Sequence, residues 1–103
     1  MVEHVVARFD ELPEGQAVPV DVDGTVIAVT RVGTSVYAIL DRCSHADVPL
    51  SEGAVDAFDC AIECVKHGSM FDLRTGEPLS LPATRPVPVY PATVRDGDVV
   101  VDL

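Results

Sequence analysis

The chain has 103 residues and carries 17 Asp and Glu against 7 Lys and Arg, a formal net charge of -10. That length fits one domain, residues 1–103, with one modest core. The acidity argues against nucleic acid or an anionic membrane as partner, because both are polyanions that need Lys and Arg to displace their counterions. No apolar run approaches the roughly 20 residues that span a bilayer. The N-terminus, Met1 to Arg8, lacks a basic segment followed by an apolar one, so no signal peptide is read there. Three cysteines cannot all pair with one another. The expected location is the reducing cytoplasm.

Val is abundant, and Pro and Gly punctuate the chain every few residues, a pattern of short strands and tight turns with no clear helix. The predicted strands are Val5–Phe9, Ala17–Val22, Thr25–Val32, Val36–Leu40, Ala61–Glu63, Met70–Asp72, Val87–Val94 and Val99–Asp102. Asp23-Gly24 and Asp96-Gly97 are hairpin signals, and Thr75-Gly76 reads as the tip of a third hairpin. Pro86, Pro88 and Pro91 mark the late strand as an edge or irregular one. The fold class is therefore all-β. The stretch from about Arg42 to Gly76 differs from its flanks, for it holds all three Cys and two of the three His. It reads as a small site-bearing insert on a β-sandwich.

Within it lie two short pairs of metal-ligand residues, Cys43-Ser44-His45 and Cys64-Val65-Lys66-His67, separated by the 18 residues from Ala46 to Glu63. Each pair puts a thiolate and an imidazole on one tight loop. Such a set can bind one tetrahedral zinc ion. It can equally hold a [2Fe–2S] cluster, with sulfur ligands on one iron and imidazoles on the other. Zinc fingers usually take both Cys from one knuckle and both His from another. Here each loop gives one of each, which suits a two-iron cluster better.

The sequence resembles the Rieske-type [2Fe–2S] ferredoxins, the electron-carrier components of multicomponent non-haem iron oxygenase systems. The resemblance covers nearly the whole chain. It includes both ligand loops, Leu50-Ser51-Glu52-Gly53, Phe71-Asp72-Leu73-Arg74-Thr75-Gly76 and the tail Pro82-Ala83-Thr84-Arg85-Pro86. It implies an antiparallel β-sandwich base with a cluster-binding subdomain over residues 42–73. It also implies a [2Fe–2S] cofactor held by Cys43 and Cys64 on one iron and by His45 and His67 on the other. Val65 stands where the family usually has Pro, which implies a slightly less rigid loop.

High-potential relatives carry an extra Cys in each loop and join them by a disulfide; those positions here are Val48 and Lys66. Ser69 occupies the position of a serine that donates to a bridging sulfide. Phe71 stands where a tyrosine would donate to a cysteine sulfur, and Phe cannot donate. Gly68 is expected to allow close backbone approach, with its amide and that of Ser69 near the sulfides. Asp41, Asp47 and Glu63 are expected to add negative potential, so a midpoint near the low end of the Rieske range, about −150 mV, is expected.

Four protein ligands would close both irons, so the expected role is electron transfer rather than catalysis. Only His4 remains besides the two ligand histidines, and it is read as a solvated strand residue. Cys60 is read as a small buried hydrophobe. The implied partners are an NAD(P)H-dependent flavoprotein reductase and a terminal non-haem iron oxygenase. The alternatives are a Rieske ferredoxin of iron–sulfur cluster assembly, and a structural zinc-binding accessory subunit.

Overall fold

The structure is a computed structural model that describes residues 2–103. Its middle sheet contains β2 (Ala17–Val22), β3 (Thr25–Val32), β4 (Ser35–Leu40) and β8 (Val89–Tyr90), in the order β2-β3-β4-β8. Asp23 and Gly24 turn β2 into β3 with φ of 51° and 91°. Two successive left-handed residues match the twist of a two-residue hairpin, as the Asp-Gly signal predicts. An outer sheet joins β1 (Glu3–Arg8), β10 (Asp98–Asp102) and β9 (Ala92–Arg95). Asp96 and Gly97 make its turn with φ of 52° and 80°. A third, small sheet contains β5 (Val55–Asp56), β6 (Ala61–Glu63) and β7 (Met70–Asp72).

Strand β3 explains the layering, because its side chains alternate between two cores. Ile27 and Val29 pack with Leu12, Val36, Ala38, Val99 and Val101 toward the outer sheet. Ala28 faces the other way and packs with Ile39, Leu50, Ile62, Phe71 and Leu73, the core under the small sheet. The middle sheet is thus covered on both faces at β3, which is why that strand reads as a near-continuous apolar run. Cys43 and Cys64 belong to the core under the small sheet.

Thr30 shares its strand face with Ala28. It is fully buried, and its hydroxyl oxygen has no hydrogen-bond partner among the described residues. An unsatisfied buried hydroxyl costs about 1–3 kcal/mol. Thr30→Val should therefore stabilise the protein by about 1 kcal/mol. A urea midpoint unchanged or lowered in the variant would refute that account.

Several predicted boundaries shift for local reasons. Phe9 leaves its strand for a 3-10 turn, Phe9–Glu11, and a second 3-10 turn covers Leu50–Glu52. The late strand predicted over Val87–Val94 is two strands in two sheets, divided at Pro91. Proline has no N–H to carry a ladder onward, and the Pro91 carbonyl instead accepts from the Asp102 amide at 2.9 Å. Both halves are edge strands, as the prolines imply. Strand β5 has no counterpart among the predicted strands. It is two residues long and exists because Val55 and Asp56 pair with Ile62 and Ala61. Thr75-Gly76 does turn the chain after β7, but the returning arm makes only one bridge, Phe71 with Pro78. Among the described residues no helix is long and apolar enough to cross a membrane.

Candidate metal centre

Each ligand pair lies on a loop that closes on itself just beyond a strand. After β4, the Cys43 amide donates to the Val48 carbonyl at 3.0 Å, and the Val48 amide donates to Ala46 at 2.9 Å. The His45 amide points back at the Cys43 sulfur, 3.4 Å away. The second loop caps the β6–β7 hairpin. Its Cys64 amide donates to Ser69 at 2.8 Å, and the Gly68 amide donates to Cys64 at 2.9 Å. Gly68 closes the loop with φ of +75°, and a Cβ there would meet nothing within 4 Å. No protein atom crowds that position, so within the chain itself it is the left-handed backbone conformation that selects glycine.

The two loops bring like side chains together. Cys43 and Cys64 are both buried, in one and the same core. Burial pushes the Cys43 thiol up, while the amides of His45 and Ala46 pull it down and Cys64 raises it further. The two imidazoles meet edge to face, with ring centroids 4.9 Å apart and an interplanar angle of 74°. Both are exposed. Sulfur thus lies at a buried base and nitrogen at an exposed tip. Among the described residues no three His, Cys, Asp or Glu side chains converge on one point as a mononuclear ion requires. The donor chemistry fits a two-iron cluster, with soft sulfur on one side and imidazole on the other.

Three further contacts hold these loops, and the motif spacing does not reveal them. Ser44 donates its hydroxyl to the Arg85 carbonyl at 2.6 Å. Buried Ser69 accepts from the Ala83 amide at 3.0 Å. The tail 82–86 is therefore tied to both loops, one serine on each. Ser69 is expected from the sequence as a donor to a sulfide; here its oxygen is an acceptor, and its own proton is still available. Asp41 takes the Ser51 amide at 2.6 Å and the Ser51 hydroxyl at 2.7 Å, fixing the 3-10 turn that supports Leu50. Asp47 pairs with Arg42 at 2.9 Å. Of the three acids expected to lower the potential, Asp47 is thus ion-paired, which weakens its field at the site, while Asp41, bonded to neutral Ser51, keeps its charge.

The other singled-out residues are structural. Phe71 is fully buried in the core that contains both candidate cysteines. Cys60 is buried in that core with φ of 52°, an uncommon conformation for a side-chain-bearing residue. Its carbonyl accepts the Leu73 amide at 2.9 Å. The neighbouring Cys60 thiol, together with burial, raises the pKa of the Tyr37 phenol. It is not part of the ligand pairs. His4 is half-buried on β1, opposite Val101 in the outer sheet. All three cysteines are free, Val48 packs against the core and Lys66 is exposed.

Residues 2–91 match the family described as the Rieske [2Fe-2S] domain. The chain belongs to the Rieske [2Fe–2S] family. Its cofactor is accordingly a [2Fe–2S] cluster, and the zinc alternative is set aside. This Rieske chain is 45% identical over 93 residues to the 3-phenylpropionate/cinnamic acid dioxygenase ferredoxin subunit of Escherichia coli K12, covering 90% of this chain and 86% of the relative. The ferredoxin of carbazole 1,9a-dioxygenase from Nocardioides aromaticivorans IC177 superposes with a TM-score of 0.94 at 40% identity, covering 98% of this chain and 97% of that one. A ferredoxin seen in complex with its oxygenase, also of a carbazole 1,9a-dioxygenase, superposes with a TM-score of 0.89 at 38% identity, covering 96% of this chain and 91% of the matched chain. These relatives are ferredoxins, electron-transfer components and not the catalysts, and this Rieske chain is of the same kind.

Proposed function

We propose that Cys43 and Cys64 hold one iron of the cluster and His45 and His67 the other, with residues 42–73 acting as the cluster-binding part of a single Rieske domain. The observation that carries this reading is the pairing of thiols at the buried base and imidazoles at the exposed tip. When bound, the group supplies reversible one-electron chemistry. The residues of the chain do the rest. Buried Cys43 and Cys64 keep water from the sulfur side. Gly68 and the tail ties hold the second loop, and His45 and His67 offer the exposed edge through which an electron leaves.

The chain then carries single electrons from an NAD(P)H-dependent flavoprotein reductase to a terminal non-haem iron oxygenase in a reducing cytoplasm. Support for the oxygenase comes from the similar ferredoxin found in complex with one. A midpoint at the low end of the Rieske range, about −150 mV, follows from a Phe at position 71 that cannot donate to sulfur.

The test is electron paramagnetic resonance on the dithionite-reduced protein, with iron and acid-labile sulfide counted on the same sample. The expected signal is a [2Fe–2S] centre with an average g below that of all-cysteine clusters. His67→Cys should keep iron, raise the average g and lower the midpoint, because a third thiolate adds negative charge. A midpoint that does not move would refute the His67 assignment. Zinc without sulfide in the parent protein would refute the whole reading.

A further inference from the structure

The cations of this chain are distributed unevenly. Of its seven Lys and Arg, five are in ion pairs: Arg8 with Asp98, Arg31 with Glu14, Arg42 with Asp47, Arg74 with Asp72, and Arg95 with Glu3. Among the described residues, Lys66 and Arg85 are in none. Both are exposed, and both border the imidazole tip. Lys66 immediately precedes His67, and the Arg85 carbonyl is held by Ser44, the neighbour of His45. Of the acids that neighbour the ligand loops in sequence, only Asp47 is ion-paired. Asp47 is on Arg42, Asp41 is on Ser51, and Glu63 is half-buried before Cys64. Val65, the neighbour of Lys66 in the second loop, is 50% exposed, and Leu81, just before the tail, is 78% exposed.

We propose that Lys66 and Arg85 form a cationic docking spot around the electron exit, and that it seats a protein whose electron-accepting patch carries carboxylates around an apolar contact. This rests on the reading that the His45–His67 edge is where the electron leaves. The selecting feature is charge complementarity. A body of net charge -10 repels an acidic partner in every orientation except the one that presents these two cations. Repulsion elsewhere and attraction here together orient the encounter. The acidic excess is then an orienting field and not itself the contact.

The test uses the reduced, cluster-loaded protein and two one-electron oxidants of opposite sign, the trianion hexacyanoferrate(III) and the trication tris(phenanthroline)cobalt(III). At low ionic strength, Lys66→Glu with Arg85→Glu should lower the ratio of anion to cation oxidation rates by about tenfold or more, and added salt should erase the change. Arg8→Glu with Arg95→Glu alters the net charge equally but lies on the outer sheet, and should leave the ratio within about twofold. A readout without electron transfer is binding of the redox-inert hexacyanochromate(III) ion, seen as broadening of the Arg85 Nε–H resonance and lost in the Lys66→Glu variant. Equal effects of the two variant pairs, or no effect of either, would overturn the proposal. Failure of the ligand assignment shows separately, in the resonance signal and midpoint of His67→Cys.

Discussion

Cys64→Ala should yield a colourless protein holding less than about a tenth of the parent's iron and sulfide. Cys64 is fully buried at the end of β6, and its backbone is bonded on both sides of the loop, to Ser69 and to Gly68. No other thiol can replace it. Cys60 lies four residues earlier with its carbonyl committed to Leu73 and its side chain against Tyr37. Loss of the proposed sulfur ligand would also remove the bridge the cluster makes between the two loops, so its binding energy would no longer add to folding. The variant should melt well below the loaded parent and close to the parent stripped of iron. Iron and sulfide analysis with a thermal melt checks both statements. A Cys64→Ala protein with full iron would mean that this residue is not a ligand.

Gly53→Ala should be severely destabilising for the addition of a single methyl group. A Cβ at Gly53 would stand 1.6 Å from the Glu63 carbonyl oxygen and 3.3 Å from that of Leu50. Both are backbone atoms, so no side chain can swing aside. Glu63 donates its amide to Ala54 at 2.9 Å and immediately precedes Cys64. Relief of the clash must part β5 from β6 and tilt the candidate ligand. A cost of about 3 kcal/mol or more is expected, which lowers the melting temperature by roughly 12 °C or more in a protein of this size. The cluster should also be lost faster on dilution into chelator. Gly33→Ala is the control. Gly33 has φ of 63° but open space where its Cβ would go, so only the left-handed strain applies, about 1 kcal/mol. Equal melting of the two variants would show that the close approach at Gly53 does not constrain the fold.

The parts of this fold that were legible in sequence are those whose cause is local. Asp23-Gly24 and Asp96-Gly97 form the turns they announce because two left-handed residues in a row are a property of those dipeptides. The ligand loops were legible because their chemistry requires particular residue types at short spacing. What escaped depends on residues far apart. Ser44 meets Arg85 across 41 positions and Ser69 meets Ala83 across 14, and no periodicity encodes either. Strand β5 is defined by its partner and not by its own two residues. Gly53 looks like an ordinary turn glycine until β6 is laid against it. Pro91 was read correctly as an interruption, but that its two sides join different sheets follows only from the pairing of β9 with β10.

The outer sheet has a consequence for how such a unit is deployed. Val2 and Leu103 exchange two backbone hydrogen bonds, at 2.9 and 3.0 Å. The first and last described residues therefore meet at one seam, and the middle sheet stands between that seam and the small sheet that carries the second ligand loop. A polypeptide tether attached at either terminus begins on the layer away from the imidazoles. A tether at that seam would leave the proposed imidazole edge uncovered.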